Sequence, residues 1–149
     1  MIHEILDYIK LKNNFIDVAL SENFVNPGTG YNEVVFDTIT NSRGNALTLE
    51  NGKIKVGKGV KFIEVSGKMQ FVSGSIATGG KNLVIRHSNN TYQERLMYSV
   101  NYNQNQEKVF ATKPIAVNEG DTVDVLYYGA QGDVISAGSL FTHFYVKVI

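Results

Sequence analysis

Residues 34–56, VVFDTITNSRGNALTLENGKIKV, decide the fold class of this chain. Residues 34–40 are rich in β-branched and aromatic side chains, which favour a strand. The polar residues 41–45 then predict a turn. Asn51-Gly52 is the strongest short-range hairpin signal in the chain, because both central residues of that turn need positive φ. The stretch therefore predicts consecutive antiparallel strands joined by tight turns.

The chain after Asp17 continues this pattern of short strands and polar turns. Fourteen glycines and only two prolines punctuate it, and no apolar period of helical length follows Phe15. We place further strands at 68–73, 82–87, 95–101, 108–117, 122–128 and 140–148. Short strands at regular spacing favour a two-sheet sandwich or a barrel over a βαβ fold.

Residues 1–15 have a different pattern and predict one short helix, followed by a single β domain over 16–149. Apolar residues recur there at three- and four-residue spacing, as on one face of a helix. This stripe consists of Ile2, Ile5, Leu6 and Ile9. A helix of this length is marginal in isolation. Its stripe therefore needs a partner, either the β domain itself or copies of the same helix about a symmetry axis.

Composition narrows the class of protein. The 149 residues suffice for one domain, and 43% of them are hydrophobic, so a core can form. The formal net charge is zero, so no long-range field attracts nucleic acid or an anionic membrane. No cysteine is present, which excludes a disulfide scaffold, a thiolate zinc site and a cysteine nucleophile. No apolar run reaches the roughly 20 residues of a membrane span, and we expect no signal peptide.

Three segments together resemble the C1q/tumour-necrosis-factor-like (C1q/TNF-like) jelly-roll domain. The segment 35–41, VFDTITN, resembles the family's early strand, and 51–62, NGKIKVGKGVKF, resembles its glycine- and aromatic-rich second motif. The segment 117–123, VNEGDTV, is similar to the family's Leu-x-x-Gly-Asp-x-Val. The segment 139–144, SLFTHF, is similar to its closing Ser-x-Phe-x-Gly-Phe, with His143 in place of the glycine. The resemblance covers residues 31–149.

This resemblance implies an all-β fold, a ten-stranded two-sheet antiparallel jelly roll, and assembly as a homotrimer. Members of the family include small bacterial and bacteriophage proteins, among them head domains of tail fibres and baseplates. The absence of cysteine and the Asn/Lys/Ile-rich composition favour that branch. We therefore expect a virion protein of a phage tail or baseplate, assembled in the bacterial cytoplasm, or alternatively a protein of the bacterial cell surface.

No catalytic constellation is evident in the sequence, and we expect no enzyme. No Gly-x-Ser-x-Gly motif or carboxylate pair points to hydrolysis. The histidines His3, His87 and His143 lie far apart in the chain, and only a threefold axis would gather copies of His143. We predict no metal and no cofactor. Calcium stays open as an alternative at Asp121, because some C1q-like trimers hold it, but a turn role for this carboxylate is favoured.

The segment 86–106 is the best candidate for recognition. It combines tyrosines with amide, carboxylate and guanidinium side chains, which suit the faces and paired hydroxyls of sugars. The candidate saccharide-binding residues are Arg86, His87, Asn90, Tyr92, Glu94, Arg95 and Tyr102. An ordinary amphipathic strand with a solvated loop explains the same composition without any ligand.

These observations leave three functional hypotheses. The first is a trimeric, non-enzymatic receptor-binding module that recognises a host cell-wall or surface saccharide. The second is a purely structural virion or assembly protein that contacts other baseplate or tail proteins and has no ligand. The third, a small double-sheet metalloenzyme, requires closely spaced His and Glu ligands on neighbouring strands, and the sequence lacks them.

Overall fold

The computed structural model describes residues 1–28, 30–72, 81–88, 90–96 and 106–149; for residues 81, 90–96 and 106 it gives strand position and register. The chain begins with helix α1 (Ile2–Lys12). The strands are β1 (Phe15–Ala19), β2 (Phe24–Val25), β3 (Tyr31–Val34), β4 (Thr38–Arg43), β5 (Leu47–Glu50), β6 (Lys53–Val56), β7 (Phe62–Phe71), β8 (Lys81–His87), β9 (Asn90–Leu96), β10 (Gln106–Ala111), β11 (Ile115–Ala116), β12 (Thr122–Tyr128), β13 (Val134–Ile135) and β14 (His143–Val148).

The strands form two antiparallel sheets, as predicted. The larger sheet has eight strands in the order β2-β13-β7-β14-β1-β4, with β10 and β11 also paired to β7. The smaller sheet has six, in the order β5-β6-β12-β8-β9, with β3 also paired to β12. Each sheet buries one face against the other, so buried residues alternate with more exposed ones along strands such as β7 and β14.

The core lies between the sheets and is made of aliphatic and aromatic side chains. Phe36 packs on Phe144 with ring centroids 5.5 Å apart. Phe71 packs on Tyr127 at the same centroid distance. All four of these side chains are fully buried. The aromatic contacts join strands that are far apart in sequence, so closure of the sandwich depends on long-range pairing.

The hairpin prediction at Asn51-Gly52 is confirmed. Both residues have positive φ, 51° at Asn51 and 75° at Gly52. Glu50 pairs with Lys53 directly across the turn, and β5 and β6 run antiparallel from there. A two-residue turn of this type matches the right-handed twist of the strands it joins.

The prediction of one strand over 34–40 is wrong, because the chain changes sheets inside that stretch. β3 ends at Val34 and pairs with β12 in the smaller sheet, whereas β4 begins at Thr38 and pairs with β1 in the larger one. Phe36 lies in the crossing and fills the core. Side-chain composition favours extended backbone on both sides of the crossing but carries no information about which sheet each half joins.

Other strand boundaries also differ from the prediction. β4 continues through Arg43, so the turn predicted over 41–45 is confined to the residues around Gly44, which has a φ of 75°. The residues predicted as a separate strand at 68–73 belong to the ten-residue strand β7. This strand is long because it pairs with β14 along 63–68 and with β10 along 66–71.

Strands near the end of the chain are shorter than predicted. The stretch 108–117 is divided into β10 and β11 around Pro114, which lacks the N–H that a sheet ladder requires. β14 begins at His143, three residues after the predicted start at Leu140. β9 covers the first part of the strand predicted at 95–101, and residues 97–101 lie outside the described residues. The described residues form fourteen strands, where the resemblance implied ten, because several are two-residue pairings.

Helix α1 ends at Lys12, within the predicted helical segment 1–15, and Phe15, the last residue of that segment, is the first residue of β1. No residue of the helix is buried. Within the described ranges, none of the helical segments has the length and apolarity that a membrane span requires.

Candidate functional site

The residues predicted to bind a saccharide lie mainly on the β8–β9 hairpin at one edge of the smaller sheet. Arg86 and His87 belong to β8. Tyr102 lies outside the described residues. The predicted residues on β9 are Asn90, Tyr92, Glu94 and Arg95.

The strand register divides this set between the two faces of the sheet. His87 pairs with Asn90, Ile85 with Tyr92, and Leu83 with Glu94, and all three of these β8 residues have buried side chains. Cross-strand partners occupy the same face. Arg86 lies in the alternate, outward row, as does the position of Arg95 opposite Asn82. Of the predicted residues that the structure describes, Arg86 and the position of Arg95 therefore share the outward face of the smaller sheet.

On that outward face, Arg86 is held by two carboxylates. Its Nε donates to Oδ1 of Asp124 at 2.9 Å, and its terminal Nη2 donates to the second oxygen of Asp124 and to Glu33. Asp124 is only 3% exposed. The hydrogen bond with Asp124 and its charge, together with Glu33, outweigh burial and raise the pKa of Arg86. The Nε and Nη2 edge of the guanidinium is thus occupied by carboxylates of the same chain, which make a bidentate pair with Asp124.

Lys53 completes this outward polar network. Its Nζ lies 3.0 Å from Oε1 of Glu33 and 3.8 Å from Oδ2 of Asp124. Burial alone would raise the pKa of Glu33, but its hydrogen bonds with Lys53 and Arg86 prevail and lower it. Two cations and two carboxylates therefore neutralise one another and fix the side chains on this face.

Next to the network, Tyr31 and Tyr128 form an exposed aromatic pair. Their ring centroids are 5.2 Å apart with an interplanar angle of 45°. Tyr31 is 46% exposed and Tyr128 is 39% exposed. Tyr128 pairs with Tyr31 on β3 and with Asn82 on β8, and Asn82 pairs with Arg95 on β9. We call these four aligned positions, Tyr31, Tyr128, Asn82 and Arg95, the tyrosine row.

Hydrogen bonds tie the loops on both sides of the tyrosine row together. Asn32 Nδ2, next to Tyr31, donates to Oδ1 of Asn26 at 2.9 Å, and Asn26 Nδ2 donates to the carbonyl of Ala130 at 2.9 Å. Asn26 is 1% exposed. Ala130 follows Tyr128 by two residues, so these bonds connect the backbone before Tyr31 to the backbone after Tyr128. The aromatic pair is thereby held in place before any ligand arrives.

The buried Asp133 stabilises the backbone that follows Tyr128. Its Oδ2 accepts a hydrogen bond from the Tyr127 hydroxyl at 2.7 Å and one from the backbone N–H of Ala130 at 2.9 Å. Tyr127 is buried, whereas the adjacent Tyr128 faces outward. Of these two neighbouring tyrosines of β12, Tyr127 thus belongs to the core and Tyr128 to the surface.

From Tyr31, the exposed positions along the β3 edge lead to an acidic cleft. Tyr31, Glu33 and Val35 alternate outward on this edge, and all three are exposed. Beyond Glu33 lies a cleft of about 540 Å³, whose lining includes Asp37. Hydrogen bonds from the hydroxyl and the backbone N–H of Ser21 lower the pKa of Asp37. This edge of the sheet therefore presents an aromatic group at Tyr31 and carboxylates at Glu33 and Asp37.

Each histidine with a described partner pairs with a separate aspartate. His87 Nε2 lies 2.7 Å from Asp121, and His143 Nδ1 lies 3.1 Å from Asp17. Asp121 also accepts from the backbone N–H of Asn118 at 2.9 Å, which is the turn role we predicted. That bond first, and His87 second, lower the pKa of Asp121. Among the described residues, no group of three or more metal-ligating side chains converges.

The sequence interpretation missed Tyr31, Tyr128 and Asn82. The alternation along 122–128 contains the missing signal, because Val123, Val125 and Tyr127 share one parity and Tyr128 has the other. Tyr31 gives no such signal, because its contact with Tyr128 arises only from the β3–β12 pairing.

Solved structures with this fold come from several sources. Murine APRIL aligns with a TM-score of 0.67 and 14% identity, covering 91% of this chain and 98% of that one. The globular domain of zebrafish complement 1qA aligns with a TM-score of 0.65 and 9% identity, covering 91% and 97%. PRD1 vertex protein P5 aligns with a TM-score of 0.60 and 12% identity, covering 92% and 97%.

No family model and no curated protein matches the chain. At these low identities the structural neighbours show the fold alone. It is the predicted two-sheet antiparallel jelly roll of the C1q/TNF-like type, preceded by one helix.

Proposed function

We propose that this chain is a homotrimeric, non-enzymatic binding module of a phage tail or baseplate that recognises a host cell-surface saccharide. The observation that carries the proposal is the tyrosine row, an exposed aromatic pair beside an amide, on a face whose ionic groups are already fixed. Tyrosine offers an apolar ring face together with a polar hydroxyl, and such residues are enriched at binding surfaces.

The arrangement suits a sugar for two reasons. A sugar ring presents an apolar C–H face that packs on an aromatic ring, and its hydroxyls pair with amide and carboxylate groups at the rim. The tyrosine row supplies both kinds of group, and Glu33 and the acidic cleft extend them along β3. Hydrogen bonds through Asn26 and Asn32 pre-organise the site, which reduces the entropic cost of binding.

The trimer and the virion context draw support from the fold. The C1q/TNF-like resemblance implies a homotrimer, and one neighbour is named as a vertex protein of PRD1. A trimer presents three copies of the tyrosine row, so weak individual sites gain avidity on a saccharide-coated surface. Particle assembly would take place in the bacterial cytoplasm.

The proposal is tested by glycan-array and host-cell binding with Tyr31→Ala and Tyr128→Ala. We expect each to weaken binding roughly tenfold, the effect of about 1.4 kcal/mol. Phe62→Ala is the matched control, because Phe62 is similarly exposed but lies on the other sheet. Wild-type binding by both tyrosine variants would overturn this site, and a monomer at micromolar concentration would overturn the trimer.

A purely structural role is the second candidate, and the exposed apolar stripe of α1 favours it. In that case the chain attaches to another virion protein and gives no glycan signal. Binding assays on arrays and cells that fail for the wild-type trimer, together with tight binding to a purified tail or baseplate protein, would favour this candidate over saccharide recognition.

A further inference from the structure

The apolar stripe of α1 is a run of exposed large apolar side chains on one element. It consists of Ile2, Ile5, Leu6 and Ile9, which are 73%, 54%, 48% and 51% exposed. Exposed apolar side chains clustered in this way mark an interaction surface more often than scattered ones do. The domain itself, one of the two predicted partners, does not cover the stripe.

The attachment of the helix shows why its own domain cannot cover the stripe. Leu11 is the helix residue that packs against the core. Asn14, just after the helix, donates to the Lys10 carbonyl at 2.9 Å and accepts from the backbone N–H of Ala46 at 3.0 Å. Leu11 lies on the opposite side of the helix from Ile2, Ile5 and Ile9, because the helical repeat places them about half a turn away. The stripe therefore points away from the domain.

The charged side chains between Ile2 and Ile9 lie outside the stripe and do not prevent it from packing against the same stripe of another copy. Glu4, Asp7 and Lys10 lie outside it, and Lys12, near its end, has its Nζ 4.7 Å from the Tyr8 ring. Copies of the helix that meet along the stripe consequently bring no like charges together between Ile2 and Ile9. Leu6 at one side of the stripe and the exposed Tyr8 at the other widen the apolar surface beyond the narrow seam of a two-helix contact.

We propose that the stripe is covered by the same stripe of two further copies, so that three α1 helices form a parallel bundle on the axis of the trimer. In heptad terms Ile2 and Ile9 occupy a positions and Ile5 the d position between them, and isoleucine at both favours three- or four-stranded over two-stranded association. The next d position is Lys12, so the apolar seam ends at Ile9. This inference rests on the proposed trimer. The helices are parallel because each leads at its C-terminal end into a domain related by the same threefold axis.

Association also supplies stabilisation that the helix lacks alone. α1 has eleven residues, and its N-cap, Met1, makes no side-chain capping bond. An isolated helix of that length is marginal in water. Burying three stripes against one another stabilises the helices and the trimer together.

The first test is the full-length double variant Ile5→Ser/Ile9→Ser, followed by light scattering over a dilution series. We expect the concentration at which the trimer dissociates to rise by roughly 100-fold or more. Asp7→Ser/Lys10→Ser, with the same number of serines outside the stripe, is the control and shifts this concentration less than about threefold. A wild-type monomer overturns the proposed function, whereas a wild-type trimer that the stripe variant leaves unchanged overturns the bundle alone.

A second test measures how close the helices of different copies lie, by disulfide crosslinking. The chain has no cysteine, so any crosslink comes from the one introduced thiol. In a parallel bundle, Ile2→Cys places like residues close enough for a disulfide, so mild oxidation yields a band of twice the chain mass. His3→Cys, the neighbouring position outside the stripe, remains a single-chain band. Absence of the doubled band for Ile2→Cys, in a protein that is still trimeric, would show that another partner covers the stripe and would overturn the inference.

Discussion

Isoleucines in two regions of this molecule have opposite surroundings. Ile16 in β1 and Ile54 in β6 are 1% and 0% exposed, whereas Ile2 and Ile5 in α1 are 73% and 54% exposed. The sandwich supplies its own opposing surface, since each sheet covers the apolar face of the other. The helix has an apolar face of similar composition, and no element among the described residues covers it. Residue type alone therefore does not decide burial, and the comparison identifies the helix as the part that needs a partner.

The outward face of the smaller sheet is a third case, in which charged side chains are paired with opposite charges of the same chain. Arg86, Asp124, Glu33 and Lys53 form ion pairs within the chain. Beside these ion pairs, the Tyr31–Tyr128 pair is exposed on the described part of that face. The core residues are thus covered by one another and the network residues form ion pairs with one another, whereas the apolar stripe of α1 stays exposed.

The largest expected effect comes from shortening the same residue type in the two regions. Ile54→Ala should lower the free energy of unfolding by about 2–5 kcal/mol, because it leaves a cavity in the core. Ile5→Ala, measured at a dilution where the chain is monomeric, should change it by less than about 1 kcal/mol. Chemical denaturation monitored by circular dichroism measures both. Equal losses would mean that the helix stripe is buried in the monomer and would break the comparison.

A smaller effect is expected from the outward polar network. Asp124→Ala removes a buried acceptor and leaves Arg86 without its bidentate partner, which should cost about 1–3 kcal/mol of unfolding free energy. Glu50→Ala is the matched control, because its ion pair with Lys55 is exposed on both sides and should contribute less than about 1 kcal/mol. If the two substitutions cost the same in denaturant unfolding, the network does not fix this face.

The smallest expected effect concerns pH and Asp121. The pKa of Asp121 is lowered on folding by the Asn118 N–H and by His87, so its stabilising contribution is complete above its ordinary value of 3.8. That contribution is lost as the pH falls through the folded-state pKa. Asp121→Ala should therefore cost about 0.5–1.5 kcal/mol near neutral pH, and the difference from wild type should shrink in acid.

Unfolding measured from neutral pH down to strongly acidic pH tests this expectation. Glu119→Ala, which alters an exposed neighbour in the same turn, is the control and should run parallel to wild type at every pH. A gap between Asp121→Ala and wild type that widens as the pH falls would contradict the assigned direction of the pKa shift.

The sequence predicted the features that depend on local interactions. The Asn51-Gly52 turn, the strand at 122–128 and the apolar stripe of α1 all follow from neighbours within a few residues, through φ preference and side-chain periodicity. The all-β two-sheet fold class followed from their sum. The resemblance of three short motifs narrowed it to the C1q/TNF-like jelly roll.

Tertiary structure alone decided which strands pair and in what register. It split 34–40 between two sheets, since extended backbone is equally favoured in either one. It divided the predicted binding residues of β8 and β9 between two faces, because a shift of one residue in register reverses every side chain. It also placed Tyr31 on Tyr128. Contacts between residues so distant in sequence depend on how the chain closes, and no local preference encodes that closure.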